Sequence, residues 1–379
     1  MNIHAPVRTA ADELAANVSV PFESARAMPR SVYMSDEFLQ LELEHIFSKD
    51  WICAGRVDAL KEPGDYLTLE IAGEPIIVLR DKDGALRAMS NVCRHRMSVL
   101  LEGRGNTRAI VCPYHAWTYN LDGSLRGAPA MTRNDSFCKS DVRLPEVRCE
   151  EWLGFIMVTL DPDTPPPSET LAEAAAMIEH LDLASYSETF REHHLWDTNW
   201  KVLAENFMES YHLPICHRAT IGGSTDINEM VLPEGKDAFN WHTILRNDAV
   251  PLALAHPNDT RLQGDERRTT WLFAIYPSLM ISITPGYFWY LSLHPEGPGQ
   301  VRILWGGGMS PHYMADPSAP AQLETVKAML EKVNDEDRGC TERVYRGLLG
   351  RLAEAGPLSH LERPNFDFAQ YISRRVNGR

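Results

Sequence analysis

Two short cysteine/histidine pairs constrain this chain more than any other feature. The stretch Asn91–Gly127, NVCRHRMSVLLEGRGNTRAIVCPYHAWTYNLDGSLRG, carries Cys93-Arg-His95, then sixteen residues, then Cys112-Pro-Tyr-His115. Two thiolates and two imidazoles could hold one tetrahedral zinc ion. They fit better a [2Fe–2S] cluster in which both Cys bind one iron and both His bind the other. In each pair the Cys comes first and the His follows closely, so one loop supplies a thiolate to the first iron and an imidazole to the second. Neutral imidazoles raise the reduction potential above that of an all-Cys cluster. A zinc ribbon would present Cys-rich knuckles, and unrelated core residues would not recur as a two-part motif.

The rest of the 379-residue chain has room for two domains, and its 44 % hydrophobic content supports a sizeable core. A formal net charge of −15 argues against nucleic acid, which needs a basic footprint. Arg94, Arg96, Arg104 and Arg108 around the cluster loop form either a local basic patch for an acidic carrier protein or ordinary solvated loop arginines. Beyond Cys93 and Cys112 stand Cys53, Cys138, Cys149, Cys216 and Cys340, an odd remainder with no disulfide framework, so a reducing cytoplasm is expected. MNIHAPVRTAADELAANVSV lacks a signal pattern, and no run approaches the roughly 20 apolar residues of a membrane span.

Residues 1–30 read as a mobile arm, followed by a helix over Ser35–Phe47. Short strands then begin near Trp51: 66–71, 75–80, 109–112 and 154–160, with Asp83-Gly84 and Asp122-Gly123 as hairpin-type turns. AspProAspThrProProPro at 161–167 is a stiff boundary. Beyond it the pattern gives a helix over Glu169–Leu181, a loop-rich section to about 268, strands at 270–276, 279–283, 287–293 and 301–305, and a long helix from Ala319 towards Gly347. Trp305-Gly-Gly-Gly308 reads as a strand ending in a flexible turn. The expected domains are 1–44 (arm and helix on the catalytic domain), 45–158 (cluster) and 159–379 (catalytic).

A second constellation is Glu205-Asn-Phe-Met-Glu209-Ser-Tyr-His212-Leu-Pro-Ile-Cys-His217. Three residues separate Glu209 from His212, placing both on one helix face. Pro214 ends regular helix, so that His217 can return towards His212. Two His and one carboxylate with open positions is the arrangement of non-haem Fe(II) oxygen chemistry. By itself His-x4-His is more often structural; alongside the cluster motif it reads as a second metal site.

With Tyr114 and Trp117 behind it, the first motif resembles the cluster loops of the Rieske oxygenase family. The second resembles the mononuclear-iron motif of that family's α subunits, and the likeness runs from Trp51 to the C-terminal helix. Met97 and Ala116 stand where many relatives carry glycine. The resemblance implies a third iron ligand far downstream. Asn334–Leu348, NDEDRGCTERVYRGL, is similar to the family's Glu-Asp-x4-Glu…Arg-Gly-Leu pattern and places that ligand at Asp337, with Asp335 and Glu336 as competitors and Asp367 as an outsider. Glu209, where relatives more often have Asp, is implied to bridge to a cluster His of a neighbouring subunit and carry electrons. Asn206 receives no role, because the segment is one residue shorter than in naphthalene-type dioxygenases. A Glu bridge resembles the stachydrine demethylase-like and carnitine oxygenase-like members, which oxidise N-methylated or quaternary amines.

The fold class implied is α+β: an all-β Rieske [2Fe–2S] domain plus a catalytic domain with an antiparallel sheet flanked by helices, of helix-grip type. The activity implied is that of a terminal oxygenase using O2, the cluster and mononuclear Fe(II). No Gly-x-Gly-x-x-Gly follows a strand, so electrons are expected from NAD(P)H through a separate flavin reductase, possibly with a ferredoxin. A homotrimer is implied, acting on a small molecule by monooxygenation with N-demethylation. Ring hydroxylation or cis-dihydroxylation of an aromatic acid is the alternative, and a Rieske electron carrier or a zinc-stabilised binding module the non-enzymatic ones. TyrPheTrpTyr at 287–290 puts either Phe288 and Tyr290, or Trp289, towards a pocket, where a cation would sit over an aromatic face. An aromatic ring substrate, or plain core packing, would use the same residues.

Overall fold

The computed structural model describes residues 5–222, 230, 232–248 and 250–378. The chain divides into two compact units, Phe47–Glu169 and a second made of Met1–Ile46 with Thr170–Arg379.

The Phe47–Glu169 unit is all β. Strands β1 (Ile52–Arg56), β2 (Asp65–Ile71), β3 (Glu74–Arg80), β4 (Leu86–Ser90) and β5 (Arg104–Asn106) precede three short ones, β6 (Ile110–Val111), β7 (Thr118–Tyr119) and β8 (Leu125–Gly127). Then come β9 (Glu146–Trp152) and β10 (Phe155–Thr159). A seven-stranded sheet runs β1-β10-β9-β4-β3-β2-β5, and β6-β7-β8 form a separate small sheet. Alternating apolar residues of β3 and β4 meet the small sheet in a core that includes Ile77, Leu79, Met89, Ile110, Tyr119 and Leu144. Cys93 and Cys112 belong to that same core.

The other unit holds β11 (Ser187–Trp196), β12 (Phe239–Leu245), β13 (Thr269–Ile275), β14 (Leu279–Ile283), β15 (Tyr287–Gly297) and β16 (Gln300–Met309). They form one antiparallel sheet in the order β11-β16-β15-β14-β13-β12. The Trp200–Met208 helix packs on β12, β13 and β15, and the helices Ala319–Leu348 and Arg363–Val376 pack on it in turn. Asn199 starts this helix by accepting from the Lys201 N–H at 2.9 Å. Lys201 and Glu42 form a wholly buried ion pair at 2.7 Å, and Trp200 Nε1 donates to the same carboxylate at 3.0 Å. Tyr33 Oη donates to Glu205, 2.9 Å from each of its oxygens, and burial pushes that carboxyl up to about 8.

Several expectations need correction. The N-terminal arm contains a helix, Ala5–Asn17, because Ala10, Ala11 and Leu14 bury one face near the C-terminal helix. The Ser35–Phe47 helix is α only over Asp36–Glu42 and then widens to a π turn over Leu43–Phe47. The helix expected over Glu169–Leu181 is broken at Leu171 and Ile178, whose backbones leave helical values as their side chains are buried. The strand β12 lies within the section read as loop, of which residues 223–229, 231 and 249 fall outside those described. The strand β11 also escaped notice: it is a sheet edge, and its polar sequence hides the period-two pattern. Gly306–Gly308 lie inside β16 rather than in a turn. A Cβ on them would strike the Tyr290 ring at 2.5 Å, the Phe190 ring at 2.6 Å and the Ser187 carbonyl at 1.8 Å. Close approach, not flexibility, is what these glycines supply. Finally, Cys216 and Cys340 form a disulfide across 124 residues, and Cys53, Cys93, Cys112, Cys138 and Cys149 stand outside any disulfide. Only tertiary proximity of loop and helix reveals that pair, so the cysteines read as showing no disulfide framework do contain one link.

Candidate cluster and iron centres

The two cysteine loops are built to one plan. The Cys93 N–H donates to Ser98 O at 2.9 Å, and the Met97 N–H returns to Cys93 O at 3.0 Å. In the second loop the Cys112 N–H donates to Trp117 O at 2.8 Å, and the Ala116 N–H returns to Cys112 O at 3.0 Å. Each turn closes through one residue of positive φ, Met97 at 55° and Ala116 at 56°. These are the two positions where glycine was expected, and left-handed backbone explains that preference.

The plan separates the ligands by depth. Cys93 is 1 % and Cys112 3 % exposed, while His95 lies at the surface and His115 is half-buried. Burial opposes charge on Cys112, yet backbone N–H groups of Tyr114 and His115 bond its sulfur and draw the thiol below its usual range. Tyr119 Oη lies 3.3 Å from Cys93 Sγ and accepts from the Arg94 N–H at 3.0 Å. The His95 and His115 rings are 4.6 Å apart, and Trp117 stacks on His95 at 4.8 Å. Desolvation, reinforced by His95 and Arg96, lowers the His115 pKa and favours the neutral imidazole that metal needs. His115 Nδ1 is buried without a hydrogen-bond partner among the described residues. Two buried thiols and two neighbouring imidazoles on the same pair of loops, one with an orphaned nitrogen, fit a two-iron cluster. Arg94, Arg96, Arg104 and Arg108 are all exposed, and Arg96 donates to Tyr114 Oη at 3.2 Å.

The second site is assembled from distant segments. His212 follows the Trp200–Met208 helix, the short Leu213–Cys216 turn carries the chain to His217, and Asp337 projects from the Ala319–Leu348 helix. Their ligand atoms all lie within 4.8 Å of one another, close enough for one metal ion. His212 Nε2 lies 3.2 Å from His217 Nε2, and Asp337 Oδ1 lies 3.0 Å from His217 Nε2 and 3.5 Å from His212 Nε2. Donors bound about 2.1 Å from one octahedral metal sit about 3 Å from each other. Asp337 Oδ1 is buried yet makes no well-aligned hydrogen bond. The three atoms thus converge on a common point rather than on one another, which fits a 2-His-1-carboxylate ion.

The opposite ring nitrogens are held by carboxylates. His212 Nδ1 donates to Glu209 Oε1 at 2.6 Å, and the His212 N–H donates to Glu209 Oε2 at 3.1 Å. His217 Nδ1 donates to Glu336 Oε2 at 2.8 Å, and Thr220 Oγ1 donates to the same oxygen at 2.6 Å. Each bond fixes the tautomer that leaves Nε2 for metal. Burial disfavours charge on His212, but the nearby carboxylates of Asp337 and Glu209 outweigh it and push its pKa up to about 10. A metal ion must displace that proton. Glu336, weighed in sequence only as a rival ligand, orients His217 instead. Asp335 is not in the group, and Asp367 pairs with Arg363 at 2.7 Å.

The three ligands line a pocket of about 100 Å³ that opens to solvent. Leu203, Phe207, Ile244, Leu272, Leu291 and Val333 give it apolar walls. From β15, Tyr287 and Trp289 face it, whereas Phe288 and Tyr290 are fully buried elsewhere. Phe207 packs edge-on against Trp289 at 5.6 Å. Ser210 and the buried His242, their side chains 3.0 Å apart, sit below; burial, with Arg246 and His212, takes the His242 pKa down to about 4.

Two buried cysteines with two neighbouring histidines on an all-β unit, and a group of two His and one Asp in a unit built on an antiparallel sheet, are the arrangement of a Rieske-type oxygenase. Residues 50–147 match the Rieske [2Fe-2S] domain family, and residues 181–378, more than half of the chain, match the ring hydroxylating alpha subunit (catalytic domain) family. The chain belongs to this family of Rieske oxygenases, whose cofactors are a [2Fe–2S] cluster and a mononuclear iron used with O2. It is 32 % identical over 273 residues to the carnitine monooxygenase oxygenase subunit of Acinetobacter baumannii, covering 69 % of each chain. With the chloroplastic choline monooxygenase of Arabidopsis thaliana it shares 28 % identity over 92 % of this chain and 82 % of that one. A crystal structure of a quaternary ammonium Rieske monooxygenase shares the fold at a TM-score of 0.82 and 24 % identity, with 97 % and 98 % of the two chains covered. Naphthalene 1,2-dioxygenase from Rhodococcus sp. shares it at 0.79 and 20 %, covering 99 % and 98 %. No helix among the described residues is long and apolar enough to cross a membrane.

Proposed function

We propose that this oxygenase hydroxylates a C–H bond on carbon attached to the nitrogen of an N-methylated or quaternary amine, so that the methyl group leaves as formaldehyde. The observation that carries this reading is the Trp289–Phe207 wall facing the His212, His217 and Asp337 triad. A methylated ammonium is attracted to an aromatic face and needs no hydrogen-bond donor there. The similarity to carnitine and choline monooxygenases supports the same substrate class.

In this reading Cys93, His95, Cys112 and His115 hold the cluster, within a domain spanning about 45–158, and His212, His217 and Asp337 hold the iron in the domain that follows. When bound, the cluster supplies single electrons and the iron activates O2. Glu209 and Glu336 keep the two imidazoles oriented, His242 stays neutral, and the apolar walls exclude water around the substrate. Glu209 also makes the contact with a cluster histidine of a second subunit in a homotrimer. A separate NAD(P)H-dependent flavin reductase, directly or through a ferredoxin, delivers the electrons in the cytoplasm. One oxygen atom enters the C–H bond, and the other leaves as water with two electrons and two protons.

The test is formaldehyde release per O2 consumed by the holoenzyme with a surrogate reductase, across N-methylated amines and aromatic acids. Stoichiometric formaldehyde from an amine supports the reading. Hydroxylated or dihydroxylated rings, with no formaldehyde from any amine, would move the assignment to ring hydroxylation.

A further inference from the structure

The pocket contains a cation that the proposed chemistry does not use. His242, Ile244 and Arg246 alternate onto one face at the end of β12, and all three positions lie at or beside the pocket, with Ile244 and Arg246 in its wall. Arg246 Nε donates to Thr270 Oγ1 at 2.9 Å, which fixes the plane of the guanidinium. Its backbone is also tied down, the N–H donating to Arg268 O at 2.9 Å. Among the described residues no carboxylate stands within ion-pair distance of Arg246, whereas the buried cations Lys201 and Arg56 have Glu42 at 2.7 Å and Asp58 at 3.3 Å.

The acids of the pocket are engaged elsewhere. Glu209 holds His212, and Asp337 faces both iron-site histidines. The surroundings of Arg246 oppose its charge: burial draws its pKa down, with only the Tyr287 hydroxyl acting the other way. A desolvated guanidinium without a counter-ion is costly, and its planar fork matches a carboxylate through two parallel hydrogen bonds. Tyr287, which lines the same pocket and feels the Arg246 charge, adds a phenolic group beside it.

We propose that Arg246 is the carboxylate-binding residue of the iron pocket, so that the substrate carries a carboxylate as well as its N-methylated nitrogen. Resting on the amine reading above, this narrows the class to N-methylated amino acids and betaines and sets aside amino alcohols. Trp289 with Phe207 takes the methylated nitrogen; Arg246, near the Tyr287 side of the pocket, takes the acid. Arg246 is thereby a specificity-determining residue, acting on binding rather than on the reacting atoms.

Calorimetric titration of the anaerobic, cluster- and iron-loaded protein tests this, with proline betaine, its methyl ester, choline and benzoate as probes. The acid is expected to bind about tenfold or more tightly than its ester, a difference typical of a charged hydrogen-bonded pair. Arg246→Gln should bring the two within about threefold, and Arg246→Lys should restore part of the preference because the charge remains. The visible spectrum of each variant confirms loading, and the acid/ester comparison in the wild-type protein needs no variant at all. Equal binding of acid and ester, or an undiminished preference in Arg246→Gln, overturns the proposal. Choline binding as tightly as the acid, unaffected by Arg246→Gln, overturns it while leaving the amine reading intact. Benzoate binding that depends on Arg246, with proline betaine and its ester both ignored, keeps the carboxylate site and defeats the amine reading. Failure of all four probes to bind overturns it as well.

Discussion

The two proposed metal centres solve the same problem by opposite routes. The cluster site is local: two loops of near-identical hydrogen bonding present all four ligands from a stretch that begins at Cys93 and ends at His115. The iron site is long-range: His212 and His217 come from a helix end and the following turn, Asp337 from a helix well over a hundred residues later. A local site keeps its geometry wherever its loops fold. A long-range one depends on the packing of the Trp200–Met208 helix against Ala319–Leu348 and on the buried pair beneath it. The cluster site buries its sulfurs and leaves its imidazoles towards the surface, where a redox partner can reach them. The iron site sets the buried His217 and the half-buried His212 against a pocket with apolar walls.

The largest effects should come from the ligands, and they should separate cleanly. Asp337→Ala is expected to lose the mononuclear iron and all turnover while retaining the cluster spectrum. Cys93→Ala should bleach the cluster while Fe(II) still binds at the other site. Metal analysis with visible spectra checks both, and loss of both metals in either variant would break the contrast between independent centres.

Next in size is Lys201→Met, which strands Glu42 as an unpaired buried acid. A cost of about 3–5 kcal/mol is expected, read as a fall in the thermal midpoint of the catalytic unit. Because the iron site depends on that packing, iron should be lost on heating before the cluster colour fades. Simultaneous loss would mean that the two centres share one cooperative unit.

Glu336→Gln sharpens the account of how the long-range site is aimed. Removing the carboxylate behind His217 should weaken Fe(II) binding or turnover by about 10–100-fold, measured by metal titration, with the cluster untouched. The smallest effect belongs to the local loops. Met97→Gly and Ala116→Gly each relieve a left-handed backbone, and after the entropy cost of glycine the net gain should be about 0.5–1 kcal/mol. Slower loss of the 2Fe cluster colour in denaturant would show it. Met97 is 80 % exposed, so little packing is forfeited there.

This same contrast governs what could be read before folding. Cys93, His95, Cys112 and His115 were legible as a set because ligand identity and spacing lie in one window. His212 and His217 were legible through their spacing and Pro214, but Asp337 only through a resemblance, since nothing local separates it from Asp335 and Glu336. Which acid faces the histidines is decided by the rotation of a 30-residue helix. The role of Glu336 and the Cys216–Cys340 link are likewise products of packing. The interior strands β13–β16 announced themselves by apolar residues, whereas β11, a polar edge, and β12, set among turn-forming residues, did not. Arg246 carries no signal in sequence at all; its meaning comes from the pocket it lines.

The central claim is that one chain holds both centres, and counting metals tests it most directly. Iron and acid-labile sulfide should be determined per chain on anaerobically purified protein, together with the visible spectrum. Three irons and two sulfides in a red-brown sample are the expected result. Zinc in a colourless sample, or two irons and two sulfides that added Fe(II) neither raises nor couples to oxygen consumption, would contradict it.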